Sequence, residues 1–209
     1  MTIRYKIEFY TYWHCGSGLS AGADVDLLAI KDEEGFPFIP GKTVKGLIRE
    51  ATETLVKLNL DRYPSWDEVE KIFGQDNSLQ GCAFFSNAEL PDEDKAALKP
   101  YAKHLFTALS STAIGNDGIA MEHSLRRIEV ALPCVLTGEI MRWPDDEKGE
   151  NENKPDDDKG KNENMKLIED SLAFVKRLGE NRNRGLGRCR FSIMSNDGNE
   201  KKEAGNENE

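Results

Sequence analysis

Two segments of the chain carry basic side chains at spacings suited to a polyanion. In the first, an apolar run enters the turn Ile39-Pro40-Gly41 and continues as Lys42-Thr43-Val44-Lys45-Gly46-Leu47-Ile48-Arg49. Pro40 keeps Ile39 extended and Gly41 permits a sharp reversal, so the pattern predicts a helix from about Thr43 with its first N–H groups facing the turn. Such a helix start favours an anion. On a helical projection Val44, Leu47, Ile48, Ala51 and Leu55 fall on one side, with Lys42, Lys45 and Arg49 roughly opposite. In the second segment, residues 179–188, glycines and the arginines Arg182, Arg184 and Arg188 stand between a helical pattern and an alternating strand. Glycines let a loop lie close to a ligand, and guanidinium groups make bidentate contacts to phosphate. A solvated surface helix would show the first pattern equally well; both segments in one chain point to nucleic acid.

Other reactive residue types are scattered. Asp24 and Asp26 sit in the small-residue loop Gly22-Ala23-Asp24-Val25-Asp26, and taken alone they read as solvated carboxylates. His14 is either an acid–base group for RNA cleavage or a packed, hydrogen-bonded histidine. His104 and His123 read as surface or hairpin residues. Tyr10 and Tyr12 either pack or stack on bases, as in single-stranded RNA binders, whereas Trp13 reads as core. Cys15, Cys82, Cys134 and Cys189 stand far apart with no Cys-x-x-Cys pair, which predicts buried free thiols and not zinc ligands or disulfides.

The elements that must position these residues follow from periodicity. Residues 2–13 alternate Ile3, Tyr5, Ile7 and Phe9 against Arg4, Lys6, Glu8 and Tyr10, the period of a strand with one buried face. Residues 27–30 and 36–39 predict a hairpin closed by Asp32-Glu33-Glu34-Gly35. The first helix covers about 43–58; a second runs over 65–73 with Ser65 as N-cap and Gly74 as terminator. Residues 81–88 are largely apolar and are expected at the centre of the sheet. A short helix over 92–98 precedes an irregular stretch with turn chemistry at Asn116-Asp117-Gly118, and strands follow at 127–132 and 134–142. A helix over 166–178, with Ile168, Leu172, Val175 and Leu178 on one face, leads through the arginine loop to a strand at 188–194. Strand, helix, strand, strand, helix, strand is the order of an α+β, ferredoxin-like (RRM-like) βαββαβ core, here with a protruding hairpin insertion at about 105–130.

Together, the turn from Ile39 to Gly46 and the loop from Arg182 and Arg184 to Gly187 resemble the RAMP superfamily of CRISPR effector proteins, in which an Ile-Pro-Gly-x-x-x-Lys-Gly turn and a C-terminal Arg-x-x-Gly-x-Gly loop recur. Gly81-Cys82-Ala83-Phe84-Phe85-Ser86-Asn87-Ala88 resembles the Phe-Ser-(Asp/Asn)-Ala strand of their backbone subunits, and residues 124–130 resemble the returning arm of their hairpin. The resemblance spans nearly residues 1–194 and implies the repeating backbone subunit of a type III complex. Guide crRNA would then bind along Lys42, Thr43, Lys45, Arg49, Arg182, Arg184 and Arg188. The partners would be paired target RNA, other CRISPR effector subunits, and further copies of the chain in a filament along the crRNA. In the related subunits a loop aspartate before Ile-Pro-Gly is associated with metal-dependent cutting of target RNA. Asp26 matches that position best, with Asp24 as the fallback, and would bind Mg2+ or a similar divalent cation. Leu27-Leu28 departs from the small-Pro pair that often follows that aspartate. Ile114 or Met121 would supply the apolar wedge with which the hairpin displaces a base pair. Two other readings stay open: a non-cleaving structural or capping subunit, and a crRNA-processing endoribonuclease with His14 as base.

The net charge of −10 over 209 residues looks wrong for an RNA binder until it is located. Residues 145–163 hold nine acids and four lysines, and 197–209 hold five acids and two lysines, so these pieces carry −8 of it. Both nearly lack apolar residues, which predicts a disordered acidic insert at about 144–165, a disordered tail at 197–209, and an almost neutral folded body with clustered basic residues. With 38% hydrophobic residues the remainder closes a single domain over 1–196. No apolar run approaches the roughly 18 residues that span a bilayer, and no secretory apolar region follows Met1, so a cytoplasmic protein without a membrane partner is expected. Deleting 145–163 and 197–209 is expected to leave stability and RNA affinity within about 1 kcal/mol of the parent, as read by thermal unfolding and RNA titration.

Overall fold

The alternation of the first strand sets the architecture. Ile3, Tyr5, Ile7 and Phe9 are all buried, while Thr2 and Arg4 on the other face are exposed. The computed structural model describes residues 2–22, 24–58, 66–75, 79–142 and 157–194. In chain order the elements are β1 (Thr2–Phe9), α1 (Gly41–Leu58), α2 (Trp66–Phe73), the short strands β2 (Gly74–Gln75) and β3 (Leu79–Gln80), β4 (Ala83–Phe85), and α3 (Asp92–Leu98), which runs into a 3₁₀ turn (Lys99–Leu105). They continue with β5 (Phe106–Ser111), β6 (Arg126–Ala131), β7 (Val135–Arg142), α4 (Asp157–Phe174) and β8 (Cys189–Ile193).

The main sheet is four-stranded, in the order β4-β7-β1-β8, and every neighbouring pair is antiparallel. Helices α1 and α4 pack against each other. Their apolar stripes join the core, Val44, Ile48, Ala51 and Val56 from one and Leu167, Ile168 and Leu172 from the other. A buried hydroxyl pair, Thr52 and Ser171 at 2.8 Å, sits between the two helices. Each hydroxyl also bonds its own helix, Thr52 to Ile48 O at 2.8 Å and Ser171 to Leu167 O at 2.6 Å, so neither polar group is left unsatisfied. Strands β5 and β6 pair with each other as a separate two-stranded sheet.

Several expectations need correction. The 81–88 segment is not central: only Ala83–Phe85 is strand, and β4 pairs with β7 alone at the sheet edge. The reason lies in the polar residues that follow. Ser86 N–H still bonds Glu139 O (2.9 Å), but its Oγ accepts the Glu139 N–H (2.8 Å) and Asn87 turns to α1, so the regular ladder is interrupted. Ala88 pairs with Ile39, and the chain rejoins β7 only through the Glu89–Thr137 bridge. The expected hairpin of 27–30 with 36–39 reduces to one bridge, Lys31 to Pro37. Asp32 Oδ1 gathers the N–H groups of Glu34 (3.0 Å) and Phe36 (2.8 Å) into a tight turn, and the preceding segment pairs back on 16–19 and forward on β6 instead.

Helix α4 begins at Asp157, within the segment expected to be disordered. The rest of that segment, 144–156, lies outside the described residues, as do 197–209 and the Ser65 cap, so the deletion test for the insert belongs to 145–156. Gly74 does end α2, with φ 87°. Among the described residues no helix is long and apolar enough to cross a membrane.

Two glycines of α1 have opposite roles. A Cβ at Gly41 would overlap Phe85 O and stand 2.9 Å from Ser86 O, whereas Gly46 has nothing within 4 Å. Gly41→Ala is therefore expected to cost about 2 kcal/mol or more through forced separation of α1 from β4. Gly46→Ala should gain about 1 kcal/mol from helix propensity. Chemical denaturation of both variants checks the contrast.

Candidate nucleic-acid interface

The chain leaving β1 is where the elements carrying the candidate residues meet. Trp13 bonds β6 both ways, its N–H to Ala131 O (3.1 Å) and its O to Ala131 N–H (2.8 Å). Its ring is buried, stacks on Phe9 with centroids 4.5 Å apart, and donates Nε1–H to Leu132 O at 3.1 Å. His14 O accepts the Glu180 N–H at 3.0 Å, while its ring Nδ1 lies 2.6 Å from Glu129 O. Cys15 O accepts the Ile30 N–H at 2.8 Å, and its buried thiol lies beside Thr43 in the first turn of α1. Residues 13–15 thus tie together the hairpin base, the arginine loop and the segment that follows the aspartate loop, with the start of α1 packed beside Cys15. His14 is fully buried, and a general base must reach its substrate's proton, so the structure removes it from the role of endoribonuclease base.

At the start of α1 the expected outward N–H groups are largely used within the protein. Asn87 Oδ1 accepts the Gly41 N–H at 3.0 Å, and Pro40 O accepts those of Thr43 (2.8 Å) and Val44 (3.2 Å). The positive character therefore comes from side chains. Lys42 is exposed and lines a groove of about 480 Å³ with Phe84, Ser86 and Glu89; Lys45 is half-buried. Arg49 turns onto the protein, with Nε on Glu53 at 2.9 Å and Nη1 on Gly74 O at 3.2 Å, so it braces α1 against the end of α2.

The arginine loop is pinched at its neck. Leu178 N–H bonds Gly187 O (2.9 Å) and Gly187 N–H bonds Tyr12 O (2.8 Å). Gly179 and Gly187 have φ of 96° and 68°, and a Cβ would overlap His14 O at the first and Leu178 O at the second. Arg182 reaches α1, Nη2 standing 3.5 Å from Glu50 Oε1, so the two basic segments do meet. Arg184 and Arg188 are exposed, and the Arg188 backbone N–H is held by Thr11 Oγ1 at 3.0 Å.

Asp26 is exposed yet anchored. Its N–H bonds Arg127 O (2.8 Å), its Oδ2 accepts the Arg127 N–H (2.7 Å), and Oδ1 is 3.8 Å from Arg126 Nη1. Asp24 is exposed in a turn, its N–H on Ala21 O at 3.3 Å. Among the described residues there is no group of three or more His, Cys, Asp or Glu side chains that could hold a metal. Mg2+ commonly uses one or two carboxylates and completes its shell with water and substrate phosphates, so the single Asp26 carboxylate fits as the protein ligand of an ion otherwise held by RNA.

On the β5–β6 hairpin, Ile114 and Met121 are exposed, and Ile114 pairs with Ala120 beyond the strand ends. Ile119 and Leu125 are exposed beside them in the same connection. Sequence alone does not single these two out, because isolated apolar residues in a turn-rich stretch carry no period. Tyr10 and Tyr12 are exposed, with the Tyr10 hydroxyl on Glu8 at 3.1 Å. His104 and His123 are exposed. All four cysteines are free; Cys15 and Cys189 are buried and the other two half-buried. Burial pushes the Cys134 and Cys189 thiols up to about 12 and raises Cys15 as well, so these are neutral packing groups.

These features define a mixed α/β scaffold with antiparallel sheets, whose candidate residues are gathered on loops around the exit of one strand. The sequence matches the RAMP superfamily over residues 6–190, and the chain belongs to that superfamily. No curated protein sequence gives a significant match. The fold is similar to a chain of the cryo-EM structure of Type III-B Cmr-beta bound to cognate target RNA, with a TM-score of 0.64 and 13% identity over 92% of this chain and 97% of that one. It is also similar to a chain of the Type III-B Cmr-beta apo state, with a TM-score of 0.61 and 14% identity over 94% and 98%.

The Asp26 anchor gives a stability test separate from any activity. Asp26→Ala leaves the Arg127 N–H without its acceptor and is expected to cost about 1 kcal/mol, whereas Asp26→Asn keeps an oxygen there and should stay close to the parent in denaturant titrations.

Proposed function

We propose that this chain is a guide-RNA-binding backbone subunit of a type III CRISPR effector complex that presents Asp26 to the paired target RNA. The observation that carries this reading is the convergence of the basic helix, the arginine loop, the segment that follows the aspartate loop and the hairpin base on residues 13–15. One of the similar folds belongs to a Cmr-beta structure bound to cognate target RNA, which supports RNA as the ligand class. The strand order β4-β7-β1-β8, with α1 and α4 packed together, supports a ferredoxin-like core into which β5–β6 is inserted as the protruding hairpin.

In this reading the guide phosphates lie against Lys42, Lys45, Arg184 and Arg188. Arg49 and Arg182, already held by Glu53 and Glu50, stiffen the surface beneath them, and Thr43 serves through Cys15. Binding gains from counterion release, so it should depend steeply on salt despite the overall negative charge. Successive copies along one guide form the filament, and Ile114, Ile119, Met121 and Leu125 offer the apolar wedge that separates a base pair.

Asp26 would hold a divalent cation at the scissile phosphate, where the ion offsets developing charge. Its own contribution is placement: the Arg127 N–H fixes one carboxylate oxygen, and rigid placement is what a phosphoryl reaction needs from its protein. The same anchor favours a second reading, a non-cleaving structural or capping subunit, because Asp26 already has a structural use. Leu27-Leu28 after it points the same way.

Reconstitution with a guide RNA separates these. Lys42→Ala, Lys45→Ala and Arg184→Ala combined should weaken guide binding and lower the log affinity–log salt slope by roughly 2, about 0.7 for each phosphate no longer neutralised. An unchanged slope would sink the basic-surface reading. Asp26→Asn should bind target as the parent does while single-turnover cleavage falls by several powers of ten. A parent complex that binds target and never cuts assigns the chain to the non-cleaving role.

A further inference from the structure

We propose that His14 is the positioning residue of the arginine loop, acting through its ring Nε2 on the Glu180 carboxylate, an assignment that rests on the guide-RNA reading above. Nδ1 lies 2.6 Å from the Glu129 carbonyl, which can only accept, so Nδ1 carries a proton whatever the charge of the ring. Nε2 is then a bare acceptor in the neutral ring and a donor in the imidazolium. It is buried without a hydrogen-bond partner among the described residues, and the Glu180 Oε2 stands 3.7 Å away. Gly16 keeps that approach clear, since a Cβ there would lie 3.2 Å from Nε2. Two acceptors facing each other repel; a proton on Nε2 turns the repulsion into attraction, and closing of the 3.7 Å gap then makes a charge-assisted bond.

The charged groups facing this site are accounted for by element. The arginine loop contributes Glu180. From β6, Glu129 presents its backbone carbonyl and turns its carboxylate onto Lys31 Nζ (2.8 Å) and the Ala29 N–H (3.1 Å). From α1, the Thr43 hydroxyl and the Lys42 charge act on the neighbouring Cys15 thiol.

Glu180 follows Gly179, whose positive φ turns the chain into the loop bearing Arg182 and Arg184. Its N–H is already fixed on His14 O at 3.0 Å. A second bond, from its side chain to the ring of the same residue, fixes the direction in which the loop leaves. An acid inside an arginine loop thereby has a use, because it faces His14 and not the RNA. Phosphate arriving on the arginines selects the ordered loop and with it the latched, protonated ring.

The test is a fluorescence-anisotropy titration of a labelled single-stranded RNA with the full chain at about pH 6 and about pH 8, the range over which histidines change charge. Removing an acid beside a polyanion ordinarily tightens binding. A latching Glu180 predicts the reverse: Glu180→Ala binds about tenfold more weakly near pH 6 and loses most of the parent's pH dependence. The Glu180 side chain is 51% exposed, so this variant reads the contact without unfolding the chain.

His14→Asn places an amide nitrogen where Nδ1 stands, keeping the Glu129 bond, and should fold yet show the same loss. His14→Gln reaches toward Glu180 with a neutral donor and should bind near the parental level without pH dependence. Binding by Glu180→Ala as tight as the parent's or tighter overturns the assignment, as does parental binding by His14→Asn. If Lys42, Lys45 and Arg184 prove necessary while Glu180 does not, the guide-RNA reading stands and the His14 role alone falls. A folded parent that binds no RNA removes both.

Discussion

The structure depends on the hydrogen-bonding directions of three consecutive residues at the exit of β1. In extended chain, successive backbone groups point to opposite sides, so Trp13, His14 and Cys15 can each serve a different neighbour. Trp13 pairs with β6, His14 O holds the arginine loop, and Cys15 O holds the segment that follows the aspartate loop. A slip of one residue would reverse these directions and detach all of them together. The buried Trp13 ring, stacked on Phe9 and bonded to Leu132 O, is what fixes the register. Side chains more than 100 residues apart in sequence are brought together here by backbone geometry.

The motif glycines gain their meaning from the same packing. Gly41 allows the first turn of α1 to lie on the carbonyls of Phe85 and Ser86, where Asn87 caps it. The Ile-Pro-Gly and Phe-Ser-Asn-Ala stretches, so far apart in sequence, are therefore two halves of one structural joint. Gly179 and Gly187 do the same for the arginine loop, lying against His14 and Leu178 backbone in conformations that other residues rarely adopt. These glycines serve approach of backbone to backbone. In the proposed reading, phosphate contact falls to the lysines and arginines they position.

Much of this was legible in the sequence because periodicity reports burial faithfully. The alternation of β1, Val44, Ile48 and Ala51 of the α1 stripe, and Ile168, Leu172, Val175 and Leu178 all fall in the core, with Leu47 and Leu55 partly buried against it. Helix α4 ends at Phe174, so Val175 and Leu178 pack from just beyond it and not from a helix reaching 178. What stayed hidden was pairing between distant segments. An apolar run such as Ala83-Phe84-Phe85 reads the same at the edge of a sheet as at its centre, and only the polar caps that end it decide. Nothing local says that Asp26 meets Arg127, that Arg182 meets Glu50, or that the N–H groups of α1 are already used by Asn87 and Pro40. Acidic composition hid the start of α4 in the same way, since helix propensity in Asp157-Asp158-Lys159 is weak until the apolar stripe that follows can pack.

For function, the chain joins a superfamily fold to a surface whose cations are supplied by side chains standing on a rigid joint. In the proposed reading, that division of labour would let an acidic protein hold a polyanion: the charge that matters is local, and the Debye length at physiological salt, about 8 Å, hides the rest. The most direct measurement is photo-crosslinking of a 4-thiouridine guide RNA in the reconstituted complex, with the crosslinked peptides mapped by mass spectrometry. The account predicts crosslinks concentrated in residues 40–49 and 180–190. Crosslinks confined to other surfaces, with both of those segments clean, would contradict it.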